Sequence, residues 1–183
     1  MADRRFEELL ERNQRSLGNY QAPPLLQNIV EMKPESGAIC IITCADARVN
    51  PDEFLGLTRG EALVIRNAGG RAADALRSLE VMGSIAPIDL IVVVHHTDCG
   101  GLFTNDDEIR SKLCDRAPAH ASTITDKWFG TFQSIGLDES IGEDVEAIRQ
   151  WPFLPVEAQV VGYAYELETG SLRKVVPGKD LRK

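Results

Sequence analysis

The sequence predicts an α/β fold: a mainly parallel β-sheet flanked by helices, with an antiparallel C-terminal edge strand and an N-terminal helical arm. Three observations carry this expectation. Residues 38–44 and 88–95 are apolar on both faces, as strands buried inside a parallel sheet are. A helical pattern at 72–86 lies between them, so strand and helix alternate. Residues 159–167 alternate in polarity and lead through Glu168-Thr169-Gly170 into 172–176, a hairpin signal.

Each element has its own justification. Phe6, Leu9, Leu10 and Leu17 fall on one helical stripe, which predicts a helix over 3–17. Gly18 and the Pro23-Pro24 pair break the chain, and a second short helix is expected from Pro24 to about Met32. This arm (1–34) could fold onto its own domain (35–183) or cross to a partner subunit. After the strand at 38–44, Asn50-Pro51-Asp52-Glu53 supplies a cap, a proline and an acid in the order that starts a helix. Residues 62–66 read as a short strand. In the helix at 72–86, Ala72, Ala75, Leu76, Leu79 and Met82 share a face. Residues 105–146 hold ten acids against four bases, with helices expected near 105–116 and 140–150 and the acids on a solvated face. Trp128, Phe129 and Phe132 form an aromatic cluster there, either core or subunit contact or a lip to a pocket. Residues 159–167 read as an edge strand.

The bulk properties narrow the function. A chain of 183 residues is one domain with a small appendage, at roughly 150 residues per domain. The net charge of −8 argues against nucleic acid and anionic membranes as partners. No apolar run approaches the roughly 18 residues of a membrane span. The N-terminus is charged and lacks the apolar stretch of a signal peptide, so a cytoplasmic location is expected. Four cysteines at 40, 44, 99 and 114 form no disulfide framework, which fits a reducing compartment.

Two segments carry chemistry. Cys44-Ala45-Asp46-Ala47-Arg48 and His96-Thr97-Asp98-Cys99 each sit where a buried strand runs out into a loop. In an open parallel sheet ligands bind at the carboxyl ends of strands, so the two segments can converge. Two thiolates and an imidazole suit Zn²⁺, and three protein ligands leave a fourth position open, as catalytic zinc requires. The competing reading makes Cys44 and Cys99 core thiols and His96 a hydrogen-bonded core histidine. Arg48 would keep Asp46 ionised and fix its orientation. Asp46 could then accept a hydrogen bond from a zinc-activated water, or fill the fourth zinc position itself. Cys40 reads as a core thiol and Cys114 as half-buried.

Cys44-x-Asp46-x-Arg48, followed by a strand ending His96-x-x-Cys99-Gly100, resembles the β-class carbonic anhydrases. The Ile65-Arg66-Asn67-Ala68-Gly69-Gly70 turn is similar to theirs, as is the tail from Asp144-Val145 through Pro152, Pro155, Gly162, Tyr165 and Thr169-Gly170. The likeness spans about residues 35–176. It implies a zinc enzyme that interconverts carbon dioxide and bicarbonate. Cys44, His96 and Cys99 would be the ligands and Asp46–Arg48 the catalytic dyad. It also implies a homodimer or dimer-based oligomer, in whose minimal dimer the N-terminal helices wrap onto the neighbour. Two positions depart from the common pattern: Ala47 stands where Ser is usual and His95 where Gly is usual. His95 is then either a proton shuttle or a packing and hydrogen-bonding group. Some compact relatives hydrolyse carbonyl sulfide or carbon disulfide instead, linear electrophiles like carbon dioxide. A non-catalytic zinc protein and a Cys44/Cys99 thiol redox protein are the readings from other classes.

Overall fold

The computed structural model describes residues 2–31 and 37–178. The chain divides into two compact units, Met1–Lys33 and Pro34–Lys183. The first unit holds α1 (Ala2–Ser16), one 3-10 turn (Leu17–Asn19) and α2 (Leu26–Glu31). Phe6, Leu9, Leu10 and Leu17, the stripe that predicts the first helix, are all exposed. Pro23 and Pro24 precede α2 rather than open it; the expected end at Met32 lies outside the described residues.

The second unit runs β1 (Ala38–Cys44), α3 (Pro51–Phe54), β2 (Ala62–Asn67), α4 (Ala72–Ile85), β3 (Ile88–His96), α5 (Asp106–Arg116), α6 (Gly136–Arg149), β4 (Gln159–Glu166) and β5 (Ser171–Val176). One five-stranded sheet has the order β2-β1-β3-β4-β5. The first four strands are parallel and β5 is antiparallel to β4. The α/β expectation therefore holds, down to the antiparallel edge strand.

Residues 159–167 need correction. β4 is no edge strand; it lies between β3 and β5. Its alternation has another cause. Val160, Gly162 and Ala164 are buried on one face, while Val161, Tyr163 and Tyr165 on the other are only partly covered. Unequal cover of two faces produces the same period as an edge.

The covered face lies under α6. Ile141, Val145 and Ile148 of that helix are buried in the main core with Val160 and Ala164. Gly162 allows the close approach: a β-carbon there would lie 2.4 Å from Ile141 Cγ2. α6 starts four residues earlier than the apolar pattern suggests. Gly136 N–H bonds to Phe132 O, and Asp138 and Glu139 sit in the first turn, where the helix dipole favours acids. Of the ten acids in 105–146 eight are exposed, but Asp106 is partly buried and Asp144 is buried, so the solvated face excludes these two. Asn50 and Asn105 cap α3 and α5 through their side-chain oxygens. Among the described residues no helix is long and apolar enough to cross a membrane.

The segment before α6 is held by one carboxylate. Asp106 accepts from the N–H groups of Phe129 and Thr131 and from the Thr131 hydroxyl. Burial raises its pKa, but these donors outweigh burial and hold the carboxyl below its ordinary value.

Two outcomes follow from this architecture. Gly162→Ala should lower stability by about 1–3 kcal/mol in urea titration, because α6 must lift off β4. Asp106→Asn should be less stable than the parent at pH 7. The folded carboxyl is the stronger acid, so its stabilisation is complete above the unfolded pKa of about 3.9 and fades as pH falls through the folded value. The gap between the two proteins should close in titrations at about pH 2.

Candidate functional site

β1 separates β2 on one side from β3 on the other, so the carboxyl ends of β1 and β3 flank a point where the chain's winding reverses. Such crevices are where open parallel sheets bind ligands. Parallel pairing sets Thr43 beside Val94, and the Thr43 hydroxyl donates to Val94 O at 2.8 Å. Cys44 and His96 therefore leave the sheet side by side. Thr97 fixes the second loop against the end of β4: its N–H donates to Tyr165 O, and its hydroxyl accepts from Leu167 N.

Cys44, His96 and Cys99 converge as the sequence predicts. Their ligand atoms all lie within 4.8 Å of one another, and all three residues are buried. Among the described residues no other His, Cys, Asp and Glu group meets this test. His96 decides whether the set suits a metal. Its Nδ1 lies 2.8 Å from Thr97 O, an oxygen that can only accept, so Nδ1 carries the proton. Nε2 is left bare, and that buried atom has no hydrogen-bond partner. A buried lone pair aimed among two thiols is what a metal ion would satisfy. Two thiolates and one imidazole fit Zn²⁺.

The thiols share their protons unequally. Cys44 Sγ lies 3.9 Å from Cys99 Sγ. The Cys99 thiol beside it, with smaller help from the His96 side chain and the N–H of Asp46, pulls Cys44 down to about 4 against the effect of burial. The Cys99 thiol is pushed up by its donation to Cys44 and by burial. The unrelated Cys40 is a core thiol, pushed up to about 12 by burial alone, and Cys114 is half-buried, both as expected.

Asp46 and Arg48 form the expected pair. Arg48 Nε lies 3.0 Å from Asp46 Oδ1 and Nη2 2.7 Å from Oδ2; the Arg48 backbone N–H also donates to Oδ1. This grip holds the Asp46 carboxyl well below the usual carboxylate range. Sequence reasoning missed the third member. Asp98 accepts from Arg48 Nη1 at 2.6 Å, and its carbonyl accepts from Nη2. Arg48 thus ties the Cys44 loop to the His96–Cys99 loop. Arg66 adds a second tie, donating to the carbonyls of Cys44 and Asp46.

Residues 39–172 match the family described as carbonic anhydrase. The chain belongs to the β-carbonic anhydrase family. It is 33% identical over 152 residues to "Beta-carbonic anhydrase 1" of Mycobacterium tuberculosis, covering 79% of this chain and 85% of the other. It is 31% identical over 160 residues to "Carbon disulfide hydrolase" of Acidianus sp. (strain A1-3), covering 77% and 78%. The crystal structure of carbonic anhydrase from Streptococcus mutans superposes with a TM-score of 0.78 at 31% identity, covering 93% and 96%.

Other residues around the site are less legible in the sequence. Gly69 and Gly70 form a tight turn with positive φ at both. A β-carbon on Gly70 would lie 3.0 Å from the Cys44 backbone nitrogen, so only glycine lets the turn lie against β1. Phe132 is wholly buried beside Cys44 and Cys99, which makes it a wall behind the thiols rather than a lip. Trp128 is half exposed over Arg71. His95 is fully buried, stacked on Phe132 and bonded to Ser140 and Gly70 O. That burial favours the hydrogen-bonding role over a shuttle, which must reach water.

His96→Ala and Cys44→Ser should each lose stoichiometric zinc by elemental analysis while keeping the far-UV spectrum of the parent. Full zinc content in either variant would overturn the ligand assignment.

Proposed function

We propose that this chain is a zinc-dependent carbonic anhydrase that interconverts carbon dioxide and bicarbonate. Cys44, His96 and Cys99 hold the metal; Asp46 and Arg48 are the catalytic pair. The observation that carries this reading is the bare, buried His96 Nε2 among two thiols, with an ionised, clamped carboxylate on the adjoining loop. When bound, zinc supplies a Lewis acid that brings the pKa of water to about 7.

The protein's part follows from its geometry. Asp46 stays ionised across the neutral range, so it can only accept. It takes a hydrogen bond from the reacting water and thereby turns a lone pair of that water toward the carbon of the substrate. Arg48 cannot deliver a proton, because guanidinium stays charged. Its task is to hold Asp46 at a fixed angle and keep it from swinging onto the metal. Phe132 and the buried strand ends exclude bulk water behind the thiols.

Carbonyl sulfide or carbon disulfide hydrolysis is the second reading. The relative named carbon disulfide hydrolase is nearly as similar as the one named carbonic anhydrase. These substrates are linear electrophiles, and the same clamp would serve them. Residues 35–183 would form the catalytic domain and 1–34 an arm crossing to a second copy in a cytoplasmic homodimer.

Three measurements test these statements. Stopped-flow hydration of carbon dioxide at about pH 8.5 should show fast, zinc-dependent proton release; hydrogen sulfide release from carbon disulfide or carbonyl sulfide without it would establish the second reading. Asp46→Asn should retain zinc and lose roughly 10²–10⁴-fold in turnover, the size expected for a lost proton acceptor. Light scattering should give twice the chain mass or an even multiple of it, and a monomer would rule out the crossed arm.

A further inference from the structure

Behind the metal ligands lies a buried ionic cluster that the reaction does not use. Asp144 on α6 is 3% exposed, Arg71 4% and His95 0%. Asp144 Oδ2 lies 3.0 Å from Arg71 Nε and 3.0 Å from His95 Nε2, close ionic contacts that are not aligned hydrogen bonds. Nε2 also lies 3.2 Å from Gly70 O. Both neighbours of Nε2 can only accept, so Nε2 carries a proton. On its other side the His95 ring meets Ser140 Oγ through Nδ1 at 2.8 Å.

These contacts converge on one turn. Arg71 ends it, and its backbone N–H and C=O are both bonded to the Asn67 side chain. Gly70 O is held by His95. Gly70, in the middle of the turn, packs on the backbone of β1: a β-carbon there would lie 3.0 Å from Cys44 N and 3.0 Å from Thr43 C. We infer that Asp144 is a positioning residue for the metal centre: through Arg71 and His95 it fixes the 68–71 turn, and so the backbone of Cys44 against which that turn packs. The inference rests on the metal reading above and adds to it a residue 100 positions from Cys44 that touches no ligand.

The physical case rests on cost. Burying a carboxylate between two nitrogen bases is weak support for stability, since desolvation opposes the attraction. The turn gains a fixed orientation instead. Groups that orient a metal ligand from behind alter metal affinity by about 10–100-fold. Glu143, the other acid on Arg71, is half exposed and lies 3.2 Å from Nη2. A pair so wet contributes little.

The test loads full-length protein with zinc or cobalt. Asp144→Asn should release zinc to a chromophoric chelator about 10-fold faster or more than the parent. Its cobalt form should show a shifted thiolate-to-metal charge-transfer band. Glu143→Gln should match the parent in both. If Asp144→Asn does not fold, Arg71→Lys, which keeps the cation and loses Nε, should show the same shift in band and rate. Parent-like release and spectrum in a folded variant, even with a lowered melting temperature, would overturn the positioning role. A parent protein that takes up neither metal would overturn the metal reading itself.

Discussion

Parallel pairing of β1 with β3 is the constraint on which the site depends. Neither strand carries a metal site alone. Cys44 ends one and His96 ends the other, and only their registry brings imidazole and thiol within ligand distance. Everything near the centre then serves to keep two loops from drifting apart. Thr43 bonds across the strands, Arg48 grips a carboxylate from each loop, and Arg66 bonds the carbonyls of the first.

Packing supplies the rest of the frame. α6 lies close on β4 because Gly162 has no side chain, and that closeness brings Asp144 within reach of His95 on β3. Phe132, just before α6, fills the space between Gly69 and Gly101, where a β-carbon on either would crowd its ring. Small residues at three points thus let a helix, a turn and a strand share one volume. The thiols sit on the wall of that volume and the arginine–aspartate clamp sits outside it, in water.

The sequence carries much of this plainly. The buried strands, the helix between them and all five named site residues are where their pattern and spacing put them. What it conceals has physical causes. β4 alternates because α6 covers one face, and period alone cannot separate that from an edge. α6 begins at Gly136 because a hydrogen bond from Gly136 N–H to Phe132 O starts it, which no apolar spacing records. Asp98 sits between His96 and Cys99 and reads as loop filler; only its position opposite Arg48 gives it a task. Asp144 reads as one acid among ten in an acidic stretch. One signal was present: it lies three residues after Ile141 and one before Val145, on the apolar stripe of its helix, where a carboxylate needs a partner.

The separation of the donors in the chain has a bearing on biogenesis. About 50 residues lie between Cys44 and His96, so during synthesis the first thiol leaves the ribosome several seconds before the imidazole, at roughly 5–20 residues per second. A nascent chain that ends before β3 offers a single donor of the three. Under the proposed ligand set, loading of a metal would wait until the sheet has closed, and a loaded protein would be one whose central strands have paired.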